Sequence, residues 1–445
     1  MRAGTRAAWS ARGAGEEKLP ALLAGAGEIV ITPDPVGTFL IGPMELSTGV
    51  NDDLFARALV LNDGRTQAVI ITMDWLGFDF AFNAVLVAAV AEATGTPADH
   101  VVINCSHTHS APLTIPWGTW ERAWDKPFHR FLPQRLAQAA RKARAALRPV
   151  RLRHCRGPAQ VGVNRRYPTP AGVTMAPNPL GRIVPWVDVL AAEGADGRTV
   201  AVLLSHAAHP VIVHGSSTLI SADWPGFAVR AVREARGDGA VVMFAQGCGA
   251  SINGFPLRGG IDAARAAGRD LAQAAMRAME SGGGWLRPGR LRVASEQVLL
   301  PLQAPPPAKA IRQKLAAEAD PARAEHLQRL LAIAEGRGSG TMPMPIRAVA
   351  VGRELCVLTM AHECVAEYQL YADGASPFPH TMAFAYTNGV ECYVATADDY
   401  RLGERGGYEA FGSASRYRIA SPPAPAAEAL VRKATRRLFQ ALRGG

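Results

Sequence analysis

Short apolar runs alternate with helical patterns over most of this sequence, and no other feature constrains its fold more. The alternation begins near Ala24, and the runs have the length of buried strands. Because such alternation is typical of sheets covered by helices, we predict an α/β fold with a mixed sheet core and flanking helices. The predicted strands are Gln67–Thr72, His100–Cys105, Thr199–Ser205, Ala240–Phe244, Val349–Met360 and Met382–Tyr386, and the predicted helices are Phe82–Thr94, Gly226–Ala235 and Ile261–Met279.

We predict one large domain preceded by a disordered leader. A chain of 445 residues with 48% hydrophobic residues is long and apolar enough to bury one large core. Residues 1–22 carry no regular pattern, and we expect them to be the leader. Residues 23–445 are predicted to form a single domain, in which residues 304–340 are a charged helical insertion.

The composition argues against several classes of function. The net charge of +10 comes mostly from scattered arginines, and no basic run alternates with aromatic residues, so we predict no nucleic-acid partner. The apolar runs are too short or too interrupted for a transmembrane helix, which takes about 20 apolar residues. The N-terminus lacks the apolar stretch of a secretory signal, which favours a cytoplasmic protein. The six cysteines form no Cys-x-x-Cys pair, so we expect no thiolate zinc site.

Polar side chains follow five of the apolar runs, close to the point where each predicted strand ends. Because ligands of α/β sheets bind at the carboxyl ends of the strands, we expect these clusters to share one site. The five clusters are Ser106–His109, Ser205–Pro210, Gln246–Gly254, Ala361–Glu363 and Glu391–Tyr393.

Histidine and carboxylate side chains at strand ends indicate a metal centre. A catalytic zinc ion takes neutral imidazoles, one or more carboxylate oxygens and an open position for water. His107 and His109 point the same way if their segment is extended, so one can bind the metal while the other faces substrate. Alone, this pair could equally be two hydrogen-bonded core histidines. His209 and Glu363, at the ends of two other strands, favour the metal.

The small-residue turn Gln246–Gly254 allows two interpretations. Several backbone N–H groups converge in such a turn and can form a pocket for a developing oxyanion. A tight turn also needs glycine for its backbone alone, and for the turn by itself this second interpretation is the better one.

An ordered set of motifs resembles the catalytic domain of neutral/alkaline non-lysosomal ceramidases. The resemblance covers about Ala24 to Ile419, and its order makes it specific. The central motifs are His107–Ser110, His209-Pro210, His362-Glu363 and Tyr393–Thr396, and the flanking ones are Ile31–Pro33, Asn51–Leu61, Asn164-Arg165, Ser221–Asp223 and Gly406–Glu409.

The resemblance implies a zinc hydrolase and assigns its residues. The zinc ligands carried over from the family are His107, His209, Glu363 and Tyr393. A phenol is an unusual zinc ligand, and from the sequence alone Tyr393 would be an aromatic residue packed at a strand end. The resemblance also places His109 and Arg165 beside the scissile group, where they stabilise its developing negative charge. His206, His214 and His362 match no family ligand and are expected to be structural.

The sequence departs from the family at three places. In the serine turn, Ser251 and Asn253 match the family motif, but three other family residues are replaced, by Cys248, Gly249 and Ile252. The segment after the His-x-His pair is exchanged for Ala111–Trp124, which we expect to form an apolar lip with Trp117, Trp120 and Trp124. The chain ends at Gly445, and we predict no C-terminal immunoglobulin-like domain.

From these observations we predict a zinc-dependent hydrolase that cleaves an amide or ester bond of a small, lipid-like molecule by metal-activated water. Ser251 and Asn253 are expected to hydrogen-bond to the substrate. One alternative is a true ceramidase in which Ser251 positions the substrate or acts as the nucleophile. A second is an amidohydrolase of the TIM-barrel type, which also uses a His-x-His pair. A third is a degenerate, non-catalytic ligand-binding protein, which the altered serine turn suggests.

Overall fold

The computed structural model describes residues 21–34, 38–115, 117, 127–417 and 419–444. The predicted leader, except for residues 21 and 22, lies outside the described residues, as do Trp120 and Trp124. The strands are β1 (Leu23–Val30), β2 (Phe39–Leu40), β3 (Glu45–Leu46), β4 (Gly49–Val50), β5 (Phe55–Asn62), β6 (Gln67–Met73), β7 (Val101–Cys105), β8 (Arg148–Pro158), β9 (Gly162–Thr169), β10 (Gly172–Asn178), β11 (Trp186–Gly194), β12 (Thr199–His206), β13 (Leu219–Ile220), β14 (Val241–Gln246), β15 (Ile252–Gly254), β16 (Leu291–Pro301), β17 (Thr341–Val351), β18 (Leu355–Met360), β19 (Glu363–Cys364), β20 (His380–Phe384) and β21 (Tyr393–Val394). The helices are α1 (Phe80–Thr94), α2 (Phe128–Ala145), α3 (Asp223–Arg236), α4 (Ile261–Glu280), α5 (Ala308–Ala317), α6 (Pro321–Ala334), α7 (Ala366–Ala375), α8 (Ala397–Arg401), α9 (Ser413–Arg416) and α10 (Ala426–Arg443).

Two large sheets confirm the prediction of a mixed α/β fold. The first has eight strands in the order β14-β12-β11-β8-β1-β5-β6-β7, and the second has four in the order β16-β17-β18-β20. The pairs β12–β14, β6–β7 and β18–β20 are parallel, and the other pairs in these sheets are antiparallel. A TIM barrel has eight parallel strands, so the described sheets do not fit that alternative.

The two sheets pack face to face between helices. Successive side chains of a strand point to opposite faces of its sheet. Leu203 and Met243 of the first sheet belong to one buried cluster with Val357 and Phe384 of the second. The other face of the first sheet packs against α1 to α4, and α10 packs against the second sheet. The result is a helix–sheet–sheet–helix arrangement.

The predicted strand Val349–Met360 is wrong as a single element. It is the end of β17, a tight turn and the whole of β18, which pair antiparallel. Gly352 makes the turn with a φ of 57°, a left-handed conformation that glycine adopts at little cost. Gly352 and the two charged residues after it, Arg353 and Glu354, interrupt the apolar run, so the sequence did carry a signal for the break.

The predicted helices are present with small changes at their ends. The first begins two residues earlier than predicted, at Phe80, where the side chain of Asp79 accepts a hydrogen bond from the backbone N–H of Phe82. The segment 304–340 contains α5 and α6. In the described part of the chain, no helix combines the length and the apolarity that crossing a bilayer requires.

A buried asparagine joins the carboxyl ends of three strands. The Oδ1 atom of Asn104, on edge strand β7, accepts a hydrogen bond of 2.8 Å from the backbone N–H of Gln246, on the opposite edge strand β14. Its Nδ2 atom donates to the carbonyl of Ala385, directly after β20, at 2.7 Å. Asn104 is fully buried. The polar segments that follow β7, β14 and β20 are therefore held close together.

Candidate metal and catalytic centre

The first two predicted ligands, His107 and His209, face each other with fixed ring orientations. The Nδ1 atom of His107 lies 2.6 Å from the carbonyl oxygen of Leu76, and that of His209 lies 2.8 Å from the carbonyl oxygen of Gly249. In each ring Nδ1 therefore donates a hydrogen bond to a carbonyl, which leaves Nε2 to face the centre. Metal-binding histidines are oriented in this way by a second hydrogen bond. Both residues are buried.

The carboxylate of Glu363 lies between these two rings. Its Oε2 atom is 3.3 Å from Nε2 of His107 and 2.9 Å from Nε2 of His209. The hydroxyl of Tyr386 is 3.4 Å from the same oxygen, and the hydroxyl of Tyr417 donates to Oε1. Burial raises the pKa of Glu363, but the two imidazoles outweigh it and hold the pKa well below its usual range. The carboxylate is therefore anionic, as a metal ligand must be.

The fourth predicted ligand, Tyr393, completes the cluster. Its hydroxyl oxygen lies 3.3 Å from Nε2 of His209 and accepts a hydrogen bond of 3.0 Å from the guanidinium of Arg165. Burial raises the pKa of the phenol well above its usual range, and Arg165 acts in the opposite direction. Two imidazole nitrogens, a carboxylate oxygen and a phenol oxygen thus converge, and these nitrogen and oxygen donors could hold a metal ion.

His109 lies beside these ligands and has a different environment. Its ring centroid is 5.1 Å from that of His107 and 5.7 Å from that of His209. One ring nitrogen from each of these three histidines lies within 4.8 Å of the others, so they also form a group that could hold a metal. Both ring nitrogens of His109 are buried and hydrogen-bond to no described residue. Burial, followed by the nearby histidines, lowers the pKa of His109 well below its usual value.

Arg165 is held rigidly at the edge of the cluster. Its Nε atom donates to Glu409 at 2.7 Å, and one terminal nitrogen donates to Oδ1 of Asn253 at 3.0 Å. The other terminal nitrogen donates to Tyr393. The strand that carries Arg165 pairs with the strand that carries Asn253, which explains why the two meet. The amide oxygen of Asn253, a residue predicted to contact the substrate, thus accepts a hydrogen bond from Arg165.

Ser251 lies close in sequence to the centre, but its hydroxyl is engaged elsewhere. Its Oγ atom accepts a hydrogen bond of 3.1 Å from the backbone N–H of Ala366, the first residue of α7. Ser251 is fully buried, and among the described residues this is the only hydrogen bond of its hydroxyl. No described histidine is within hydrogen-bonding distance of it.

Three non-glycine residues at the centre have left-handed backbone conformations. The φ angles are 67° for His107, 69° for His362 and 53° for Tyr386. Such conformations cost of order 1–3 kcal/mol each for residues with side chains and cluster at functional sites. Each follows closely on the end of a strand and turns the chain so that a ligand, or a partner of one, faces inward.

The other histidines near the centre are of two kinds. His206 and His362 have hydrogen-bond partners at both ring nitrogens, among backbone groups of other segments, as the expected structural role requires. In contrast, Nδ1 of His214 is buried without a partner in the described residues. Its ring centroid is 5.1 Å from that of His109.

Sequence reasoning missed Tyr386 and Tyr417, the two phenols that hydrogen-bond to Glu363. Tyr386 is the last residue of a predicted strand, and this position could have marked it as a candidate site residue. Tyr417 lies near α9 in a segment with no motif, and nothing in its sequence neighbourhood marks it. Trp117, the described member of the predicted lip, is half-buried, and its ring packs edge-on against Tyr417 with centroids 5.3 Å apart.

Comparison with solved structures supports the predicted fold, whereas comparison of the sequence with known families and curated proteins gives no match. No protein-family model and no curated protein matches the sequence. Among solved structures, neutral ceramidase from Pseudomonas aeruginosa is similar, with a TM-score of 0.74, 18% identity, and coverage of 96% of this chain and 75% of that one. A ceramidase described as complexed with C2 is similar with a TM-score of 0.73, 17% identity, and coverage of 96% and 76%. The expected ceramidase-like fold is therefore confirmed.

Proposed function

We propose that this protein is a zinc-dependent hydrolase that cleaves an amide or ester bond with water as the nucleophile. The observation that carries the proposal is the convergence of the Nε2 atoms of His107 and His209 on the Glu363 carboxylate, next to the Tyr393 hydroxyl. All four side chains are buried, and two buried imidazoles that turn their Nε2 atoms toward one carboxylate are suited to share a cation with it.

In this proposal the zinc ion is held by His107, His209, Glu363 and Tyr393. A bound zinc ion supplies Lewis acidity, which makes water a stronger nucleophile near neutral pH and polarises the acyl carbonyl. The tyrosines at positions 386 and 417 hold the Glu363 carboxylate in place through hydrogen bonds.

His109 and Arg165 are the groups proposed to act on the substrate itself. Arg165 is fixed by Glu409 and Asn253, so its positive charge is in place before negative charge develops on the acyl oxygen. His109 has free ring nitrogens beside the ligands, and it is our first candidate for delivering a proton to the leaving amine or alcohol.

The preferred substrate is proposed to be a lipid-like N-acyl amide. The two similar solved structures are both named as ceramidases, and the motif order of this sequence resembles the same family. Fold similarity alone does not carry a substrate from one protein to another, so the class is tested directly.

The test is a metal measurement combined with a hydrolysis screen. Elemental analysis of the purified protein is expected to give one zinc per chain, and the zinc-loaded protein is expected to hydrolyse N-acyl amides faster than esters or lactones. Chelation should abolish turnover, and added zinc should restore it. A protein with no metal and no hydrolysis of any of the three classes would instead fit the non-catalytic ligand-binding alternative.

Replacing Ser251 by alanine is expected to reduce kcat by no more than about 10-fold. A serine hydroxyl is a weak nucleophile without a base in hydrogen-bond reach, and that of Ser251 accepts from a backbone N–H instead. Its loss removes a hydrogen bond worth about 1 kcal/mol. Ser205→Ala, which removes another buried hydroxyl, is the matched control. A loss of several orders of magnitude in kcat would identify Ser251 as the nucleophile, if mass spectrometry also finds an acyl adduct on the Gln246–Phe255 peptide of the unaltered protein.

Replacing Trp117 by alanine is expected to weaken substrate binding selectively. Truncation of a large aromatic contact often costs about 2 kcal/mol, so KM for a long-chain N-acyl substrate should rise by roughly 10- to 30-fold relative to a short-chain analogue. Trp285→Ala, which removes an exposed tryptophan on another part of the surface, should leave the ratio of the two KM values unchanged. If Trp117→Ala also leaves the ratio of the two KM values unchanged, Trp117 has only a packing role.

A further inference from the structure

The segment Ser221–Trp224, which leads into α3, contacts both of the segments that carry the predicted histidine ligands. Its first residue holds the segment that follows His107. The hydroxyl of Thr108 donates to the carbonyl of Ser221 at 2.8 Å, and the backbone N–H of Ser221 donates to the carbonyl of Ser110 at 2.9 Å. The chain on the C-terminal side of His107 is thereby tied to the start of α3.

The last two residues of the same segment hold the backbone of the second predicted ligand. The carboxylate of Asp223 accepts a hydrogen bond of 2.9 Å from the backbone N–H of Val213. The indole N–H of Trp224 donates to the carbonyl of His209 at 3.3 Å. These contacts lie at the two ends of the stretch His209–Val213, and all four residues are buried. The segment therefore links the backbones of both predicted imidazole ligands.

Asp223 occupies this position at a cost to the stability of the fold. Its φ of 57° is a left-handed conformation, which is strained for a residue with a side chain and which clusters at functional sites. Burial raises the pKa of Asp223 to about 7. A carboxyl whose pKa is raised in the folded state destabilises that state as the pH rises from the group's ordinary pKa toward 7. Since neither feature stabilises the fold, they indicate a functional reason for an aspartate here.

We propose that Asp223 and Trp224 are positioning residues of the metal centre, which set the separation of the His107 and His209 imidazoles. The inference rests on the proposed function, because it takes these two imidazoles to bind the same ion. Both side chains hydrogen-bond to backbone groups, so they act on His209 through the chain that carries it. Groups that orient metal ligands in this way contribute about 10- to 100-fold to metal affinity.

Zinc affinity, measured by competition with a chromophoric chelator, tests this inference independently of activity. Asp223→Gly removes the carboxylate, and glycine adopts a φ of 57° at little cost, so the backbone conformation is preserved. We expect this variant to bind zinc about 10- to 100-fold more weakly than the wild type. The visible absorption spectrum of the cobalt-loaded variant should also change, because that spectrum depends on the arrangement of the ligands.

The matched control is Asp63→Ala. Asp63 is also a buried aspartate, and its carboxylate accepts hydrogen bonds from the backbone N–H groups of Arg65, Thr66 and Leu291. It lies in the turn that precedes β6, whereas the candidate centre lies beyond the other end of that strand. Asp63→Ala should lower Tm, because buried donors lose their acceptor, and should leave zinc affinity and the cobalt spectrum unchanged.

Two milder variants examine the individual hydrogen bonds. In Asp223→Asn the amide oxygen can still accept from Val213, and asparagine tolerates a left-handed φ, so zinc affinity should stay within about 3-fold of the wild type. Affinity as low as that of Asp223→Gly would overturn the role assigned to this bond. Trp224→Phe keeps an aromatic ring and loses only the bond to His209, so affinity should fall by about 3- to 10-fold even if Asp223→Gly does not fold.

The outcomes distinguish this inference from the proposed function. Wild-type zinc affinity in both Asp223→Gly and Trp224→Phe, or an equal loss in Asp63→Ala, overturns the positioning role and leaves the hydrolase proposal intact. Weaker zinc binding in the variants of Ser221–Trp224, but not in Asp63→Ala, supports the positioning role even if no substrate is hydrolysed, in which case the hydrolase proposal fails alone. A wild-type protein that binds no zinc overturns both.

Discussion

The His209→Ala protein is expected to contain no zinc and to lose at least about 10³-fold of its hydrolytic activity. The substitution removes one of two imidazoles that face the Glu363 carboxylate and leaves a buried anionic centre with too few ligands to retain the ion. Since the proposed nucleophile depends on the metal, turnover should fall with metal content. Elemental analysis and kcat of the same preparation measure both effects.

The control is His206→Gln, which shows the effect of removing a buried histidine that is not a predicted ligand. His206 lies three residues before His209 and is also buried, but both of its ring nitrogens bond to backbone groups. His206→Gln is therefore expected to lose stability and yet to keep its zinc. A folded His209→Ala protein with full metal and full turnover would remove His209 from the centre.

A variant at His109 decides between the two possible ligand sets. If the ligands are His107, His209, Glu363 and Tyr393, then His109→Ala keeps its zinc and loses activity, because only the group beside the substrate is missing. If three histidines bind the ion, which the spacing of their ring nitrogens also permits, His109→Ala loses both. The zinc content of this single variant separates the two cases.

The Arg165→Met protein is expected to lose about 10²- to 10³-fold in kcat/KM, the range for removal of a preorganised group that stabilises negative charge. Arg165 donates to Tyr393, to Asn253 and to Glu409, so its guanidinium is fixed within the cluster of predicted ligands. The loss should fall mainly on kcat, since the charge that Arg165 stabilises is greatest in the transition state. Steady-state kinetics with the best substrate of the screen measures how the loss in kcat/KM divides between kcat and KM.

The neighbouring arginine is a suitable control. Arg166 is ion-paired to the same carboxylate, Glu409, and also to Asp399, but its guanidinium does not hydrogen-bond to Tyr393. Arg166→Met should therefore reduce thermal stability to an extent similar to Arg165→Met and reduce kcat/KM by less than about 10-fold. Equal losses of activity in the two variants would mean that the ion-pair network matters only for folding, and that Arg165 has no direct role in the reaction.

The sequence by itself was sufficient to predict a mixed α/β fold with flanking helices and to propose which histidines and which carboxylate form one centre, but it did not predict that two sheets pack face to face. Buried strands need continuous apolar runs and surface helices need a periodic apolar face, so both can be recognised from the local pattern of apolar residues. The histidines and carboxylate that follow the strands could be proposed as one centre because ligand sites of α/β sheets lie at carboxyl ends. Tyr393 was found only through the family resemblance, since an aromatic residue at a strand end is usually a packing residue.

The tertiary structure alone determined which segments distant in sequence come into contact at the centre. Asn104 and Gln246 are 142 residues apart and lie on opposite edges of the eight-stranded sheet, and their hydrogen bond depends on the order and curvature of that sheet. The contact of Tyr417 with Glu363 and the orientation of the Ser251 hydroxyl toward α7 are equally long-range. Periodicity records which face of an element is buried, but not which distant element covers it. The direction of each polar side chain at the centre is therefore set by the packing of the sheets and not by the residues next to it in the chain.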